Sequence, residues 1–443
     1  MIEKVTDLFD SQDLRRRVIY TLGALAVFRL GAAIPIPGIN GAALKAIFSE
    51  RGGILNFLNI FSGGALSQFS IFSMGVMPYI NASIIISLLQ GAHVLPYLDR
   101  LAKEGELGHR KLNSITRYLT LGLGIFQAFG LTIMISKMPA PGNLPVVSNP
   151  TWSFYCLTVL TLTAGTMFVM WLGEQMTEQG IGNGVSLIIF AGIVQRLPSA
   201  TIGFIRLIQA EEMGILEAAI IVALLLAVTV AVVWVETAQR KIPVQYAKRV
   251  VGRKMYGGAQ SYLPLKVDQS GVIAVIFAVS LLAVPITMAQ FARNAPWAQK
   301  LADFMSRGDW VYQLIYAALI IFFCYFYNSV SINPVDLADN MKKSGGFIPG
   351  YRPGEATASY IEWVLERITL GGALFVAFIC VLPDWLRRKF NIPFFFGGTA
   401  LLIVVGVALD TMGQLEAQLI MRNYEGFLKK SGKLRQRWFN VGS

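Results

Sequence analysis

Apolar residues run along this chain in long blocks rather than in the short alternations of an ordinary globular domain. A helix needs about 20 such residues to cross the hydrocarbon of a bilayer. By that measure the spans are Val18–Ile36, Ile71–Gln90, Ile115–Met134, Phe154–Leu172, Val185–Ile205, Ile215–Val235, Val272–Met288, Val311–Val330, Ile368–Leu382 and Phe394–Leu419. Arg196 and Pro198 interrupt the fifth, and the seventh and ninth are short. Between the first two lies a different kind of segment. Asn56–Ser70 is too polar to face lipid and too apolar for an ordinary loop, and Gly63-Gly64 breaks it. Non-helical backbone survives at membrane depth only where protein or a water-filled cavity surrounds it. The pattern predicts a half-inserted segment folded into a cavity lined by the second span, and so a path with a movable element inside.

Composition agrees with the pattern. Of 443 residues, 54% are hydrophobic and 14% charged, where a soluble domain carries about 25% charge. No large soluble domain is left over. Arg15-Arg16-Arg17 precede the first run as in a signal peptide, but that run ends in Ile34-Pro35-Ile36-Pro37-Gly38 without a small-x-small cleavage site. It is expected to stay as a span, with Arg29 near its far end snorkelling to the interface. The alternate loops that begin with the N-terminus hold more than twice the Lys and Arg of the others. The positive-inside rule then places both termini in the cytoplasm. The net charge of +12 follows from this topology and from anionic headgroups rather than from a nucleic-acid footprint.

Catalytic signatures are missing from the sequence. It has no G-x-x-x-x-G-K-[ST] loop, no H-E-x-x-H and no G-x-S-x-G. The glycine-rich stretch Glu178–Gly184 follows no strand, so it reads as a tight turn into the fifth span rather than a nucleotide loop. Cys156, Cys324 and Cys380 lie inside spans and read as inert filler. His93 and His109 have no ligand cluster around them, and neither metal nor cofactor is expected. Glu174, Glu236 and Asp384 sit at span ends; Asp410 alone lies well inside a run, as a cap or an interhelical partner. Ion-coupled transporters keep charged relays at this depth, so an ion-coupled secondary transporter, whose broken helices look alike, is the alternative rather than the first reading. A membrane-embedded enzyme would need paired catalytic groups that the spans lack. Gating by apolar contacts fits better.

Two loops are longer than topology requires. Glu236–Gln269 carries Arg240, Lys241, Lys248, Arg249, Arg253, Lys254 and Lys266. Asn333–Arg367 has a Pro- and Gly-built turn, Gly350-Tyr351-Arg352-Pro353-Gly354-Glu355. The second reads as a docking surface for a partner or an acidic RNA, and the first either as such a surface or as a solvated loop that sets topology. Val76 and Ile80 are four apart, as are Val185 and Ile189, so each pair shares a helix face. From the residues alone these are ordinary core or lipid-facing positions.

Several long motifs carry a family resemblance: GGALSxxSIFxxGxMPYIxASIII at Gly63–Ile86, GTMFxMWLGEQxTExGIGNGxS at Gly165–Ser186, KxPVQYAKR at Lys241–Arg249, LPLKVxxxGVI at Leu263–Ile273, NPxxxADNxKKSGxFxPGxRPGExT at Asn333–Thr357 and PFxFGGTxLLIVV at Pro393–Val405. The chain resembles the SecY family, the channel subunits of the bacterial preprotein translocase, from its first span to near its end. One departure is Ala274, where many relatives carry Pro; Phe291–Asp309 has no recognisable motif.

The resemblance implies an all-α integral membrane protein. Its ten transmembrane helices would form two pseudo-symmetric five-helix halves, 1–205 and 206–443, hinged like a clamshell. A plug would occupy Asn56–Ser70, with Asn56, Phe57, Phe61, Ser62, Gly63, Gly64 and Ser67. A lateral gate would run between Ile71–Gln90 and Ile115–Met134 on one side and Val272–Met288 and Val311–Val330 on the other. Ile276 and Ile403 would join Val76, Ile80, Val185 and Ile189 in an apolar pore ring. The basic residues of the first loop and Arg352 of the second would receive a SecA motor or the ribosome. Partners would include SecE and SecG, preprotein signal sequences, membrane insertase partners and membrane lipids. The implied function is passage of unfolded preproteins across the plasma (inner) membrane and release of hydrophobic segments into lipid.

Overall fold

The computed structural model describes residues 12–41, 43–44, 59, 62–91, 95–136, 146–147, 150–210, 214–246, 249–251, 254–256, 260–291, 310–390 and 398–439. The apolar runs are helical. Helix α1 is Gln12–Ala33, α2 Met77–Gly91, α3 Pro96–Lys103, α4 Glu106–Ser136 and α5 Trp152–Gln179. Next come α6 Gly184–Val194, α7 Leu197–Gln209, α8 Ile215–Thr237, α9 Gly271–Phe291 and α10 Trp310–Ser331. The chain ends in α11 Pro334–Lys343, α12 Glu355–Phe390 and α13 Gly398–Phe439. Among the described residues, 7 helical stretches are long and apolar enough on their own to cross a membrane.

Local chemistry explains the boundaries. The Asn183 side chain accepts from the Val185 and Ser186 amides, at 3.1 and 3.2 Å, and so caps α6. The turn before it needs Gly182 at φ 79°. The fifth run breaks as its interruption predicts: α6 stops at Val194, and α7 starts with Pro198 in its first turn, where the missing N–H has no intrahelical partner to lose. The ninth run is only the apolar middle of α12, a 36-residue helix that carries Pro383 inside it.

The two long loops fold together. Strand β1 (Gln239–Tyr246) pairs antiparallel with β4 (Gln260–Lys266), and its end pairs with β5 (Gly346–Phe347) from the second loop. Between β1 and β4 lies a hairpin of β2 (Arg249–Val251) and β3 (Lys254–Tyr256). Pro264 lies on the edge strand β4, and Pro243 on a stretch of β1 paired on one side only, so neither removes a ladder bond that the sheet needs. Ile242, Val244 and Leu265 from the sheet bury against Met341, Ile361 and Leu365 from α11 and α12. At about 1.5–3 kcal/mol per buried side chain, this packing holds the sheet to α12 more firmly than its short pairing with β5.

One large apolar core joins α1, α2, α5, α6, α8, α9, α10, α12 and α13. A second, smaller one includes Ile36, Leu66, Phe69, Ile135 and Leu162, beneath the 62–70 segment. The outward faces are also apolar: Leu216, Ile220, Leu226, Val230 and Trp234 on α8 are all exposed. That surface suits lipid and not water.

Candidate functional site

Asn56, Phe57 and Phe61 lie outside the described residues. The described part, Asn59 and Ser62–Ser70, forms a compact turn. Gly63 and Gly64 take left-handed φ of 64° and 81°, a short 3-10 helix follows at Ala65–Gln68, and fully buried Phe69 is the one non-glycine residue at positive φ among those described. Its polar groups face inward. The Asn59 side chain accepts from the Ser67 amide at 3.0 Å, the Ser62 hydroxyl accepts from the Leu66 amide at 3.2 Å, and the Ser67 hydroxyl donates to the Gly64 carbonyl at 2.7 Å. A Cβ on Gly63 would stand 3.2 Å from the Cα of Gly192 on α6, so the turn docks on α6 backbone to backbone. Arg29 is exposed, and its Nη1 donates to the Gly63 carbonyl at 3.2 Å.

The six aliphatic candidates all belong to or adjoin the large core that joins nine helices. Val76, Ile80, Ile189, Ile276 and Ile403 are buried members of the large core, and Val185 packs against it from a half-buried position. Val76 lies in the turn before α2, yet its carbonyl accepts from the Ile80 amide at 3.0 Å and keeps the helical spacing. Gly192, one turn beyond Ile189 on α6, is the residue the Gly63 turn touches. The turn therefore sits at one end of the aliphatic cluster. Helix α9 packs against α2, α4, α10 and α13. Hydroxyls within α4 are absorbed locally, since Thr116, Thr120 and Thr132 each donate to the carbonyl four residues back.

Arg240 and Lys241 stand exposed on β1. Lys248 and Arg253 lie outside the described residues; Arg249 and Lys254 are placed on β2 and β3. Arg352 is exposed in a turn bounded by Gly350 and Gly354, at φ 90° and 110°, and its carbonyl accepts from the Thr357 hydroxyl at 2.8 Å. Tyr351 stacks on Tyr360 of α12 at 4.1 Å, and the Arg367 guanidinium lies 4.0 Å over the Trp363 ring. The turn is thus clamped to the start of α12.

Asp410 is exposed, with a carboxylate oxygen 3.9 Å from Lys266 Nζ. Nearby, Asp268 is buried: its Oδ1 accepts from the Ser270 hydroxyl at 2.9 Å and the Gly271 amide at 2.7 Å, capping α9, while Oδ2 has no partner. Burial pushes this carboxyl above the ordinary aspartate range, and the two hydrogen bonds only partly offset it. Sequence reasoning passed over this cap, which lies three residues before the helix rather than at the usual N-cap position. Among the described residues, no group of three or more His, Cys, Asp or Glu is placed to hold a metal ion.

A membrane-embedded helical body, an aliphatic cluster where its helices meet and a compact turn docked at the end of that cluster define a channel-type membrane protein. The SecY family model matches residues 70–412. Over 423 residues the chain is 48% identical to the protein translocase subunit SecY of Escherichia coli K12, covering 95% of each. The chain belongs to the SecY family. Two solved structures share the fold. One, in which the SecY plug domain is described as stabilising the closed state of the translocation channel and maintaining a membrane seal, gives a TM-score of 0.67 at 18% identity over 92% of both chains. The other, Sec61 in the canine ribosome–channel complex, gives 0.63 at 16% over 92% of this chain and 93% of that one.

Proposed function

We propose that this chain is the conducting subunit of a plasma-membrane translocase, with both termini in the cytoplasm. Unfolded preproteins cross through a constriction formed by Val76, Ile80, Val185, Ile189, Ile276 and Ile403. The segment at 56–70 is the plug that closes it. Hydrophobic segments leave sideways between α2 and α4 on one flank and α9 and α10 on the other. The halves divide at 1–205 and 206–443. The observation that supports this reading is the glycine turn seated against α6 beside a large apolar core that includes five of these aliphatic residues and adjoins Val185. Branched apolar side chains at a narrow point exclude water and ions, and their non-directional contacts seal around any passing side chain.

The joined basic loops are the platform for the SecA motor and the ribosome, and SecE and SecG complete the complex. With no nucleotide loop in the sequence, energy for transport comes from the motor or from the ribosome. The transporter alternative is not favoured by membership of the SecY family. Reconstitution with SecE, SecG and SecA into vesicles tests the reading: ATP should drive a preprotein to a protease-protected position. Ion-linked solute uptake without preprotein movement would overturn it.

A further inference from the structure

The turn at 62–70 is held from outside at its exit, where the Ser73 hydroxyl donates to the Ala65 and Ser70 carbonyls at 3.1 and 2.6 Å, and at its other end, and the ties differ in kind. At its exit the chain makes a backbone joint with the segment after α1. The Ile36 amide donates to the Phe69 carbonyl at 3.0 Å, the Ile71 amide to the Ile34 carbonyl at 3.1 Å, and Pro35 bridges Ser70. At its other end stands a single side chain, Arg29, whose Nη1 reaches the Gly63 carbonyl at 3.2 Å. Between these ties the turn bonds mainly to itself. The Gly64 amide donates to the Asn59 carbonyl at 2.8 Å, the Ser70 amide to the Ala65 carbonyl at 3.0 Å, and the Asn59, Ser62 and Ser67 side chains bond within the segment, while the Ser70 hydroxyl is buried without a partner. A body satisfied in this way leaves a cavity without stranding its backbone. Little but apolar contact and the outer ties then decides how often it leaves.

Gly63 is suited to the role of catch. Its positive φ and its close approach to Gly192 exclude a side chain, so its carbonyl is presented in one orientation. Arginine suits the other half of the contact, since it stays charged at every physiological pH and donates through a rigid fork. A charge-assisted hydrogen bond of this kind outweighs a neutral one.

We propose that Arg29 is the latch of the plug: a positioning residue that sets the resting balance between seated and released turn, while the Pro35–Ser70 joint acts as the hinge and persists on release. This rests on reading 56–70 as the plug. Losing a charge-assisted hydrogen bond shifts such a balance by about tenfold or more.

The test uses the reconstituted channel complex in planar bilayers, with Arg29→Ala, Arg29→Gln and Arg29→Lys beside the parent. Resting ion conductance should rise about tenfold or more in Arg29→Ala, less in Arg29→Gln and least in Arg29→Lys, which keeps charge and donor. The same order should appear in transport of a preprotein with a defective signal sequence. A merely structural role would lower transport without that order or the rescue by lysine. A separate arm locks the turn to α6 with a disulfide. If the lock blocks transport but the Arg29 series is as ion-tight as the parent, the latch is wrong and the plug stands. If the locked channel transports freely, the plug reading itself falls. Should Arg29→Ala fail to insert, Arg29→Gln leaking no more than Arg29→Lys overturns the proposal equally.

Discussion

Gln245 stands opposite Phe347 in antiparallel register, so the first long loop and the second are strands of one sheet. Charges that lie far apart in the chain, Arg240 and Lys241 on one loop and Arg352 on the other, therefore belong to one rigid surface. Arg352→Glu should impair motor-driven transport without unfolding the channel, because reversing a docking charge replaces attraction with repulsion, worth several kcal/mol at a tight contact. ATP-driven translocation and motor binding, measured beside thermal stability, decide the matter. Full transport by a well-folded variant would contradict it.

The sheet depends on what lies beneath it. Ile361 is wholly buried among sheet and α12 side chains, so Ile361→Ala should cost about 2–5 kcal/mol locally. We expect trypsin to cut the loop between α8 and α9 sooner in this variant, while helix content by circular dichroism stays near that of the parent. Unchanged proteolysis would show that the loops hold together by other means.

The aliphatic cluster makes a claim about ions. Replacing Ile80, Ile189, Ile276 and Ile403 together by Ser puts hydroxyls where dewetting is needed. The resting channel should then conduct ions, and export should continue with looser demands on the signal sequence. Planar-bilayer recordings showing the fourfold variant as tight as the parent would place the seal elsewhere.

Asp268 predicts a pH dependence. Burial raises its carboxyl above the ordinary 3.8, so between that value and its folded-state value the folded chain keeps a proton that the unfolded chain releases. Stability therefore falls as pH rises through that window and does not return above it. Asp268→Asn is neutral at every pH and retains the oxygen that caps α9, so it should melt higher than the parent at neutral pH, the gap closing towards acid. Asp268→Ala loses the cap as well, about 1 kcal/mol. A melting temperature of Asp268→Asn that tracks the parent across pH would refute this.

The helices were legible because a bilayer demands long apolar runs, and the break in the fifth because proline and arginine announce it. The turn into the fifth span was legible from its glycines, but the Asn183 cap beside it was not read. The sheet was not legible: β1 reads QRKIPVQY, with charges and a proline, and its partner β5 is two residues lying far downstream. Nor could spacing assign Ile276 or Ile403. Helix α9 is apolar on every side, so no face of it stands out in the sequence; family resemblance nominated both residues, and both are buried in the large core. The contact of Arg29 with the plug turn was not legible, because a long side chain at a helix end has several destinations and only the fold supplied a carbonyl within reach.

Helix α12 begins just past the turn that carries Arg352 and runs 36 residues. At 1.5 Å per residue it is about 54 Å long, against about 30 Å of hydrocarbon. Aromatic stacking welds the turn to its first coils, and its first internal proline is Pro383. As one continuous helix it would give a push on the turn a mechanical route into the membrane, with Gly371-Gly372 and then Pro383 as the places where it bends most easily. Torque applied outside the bilayer is thereby delivered inside it without any chemistry in between.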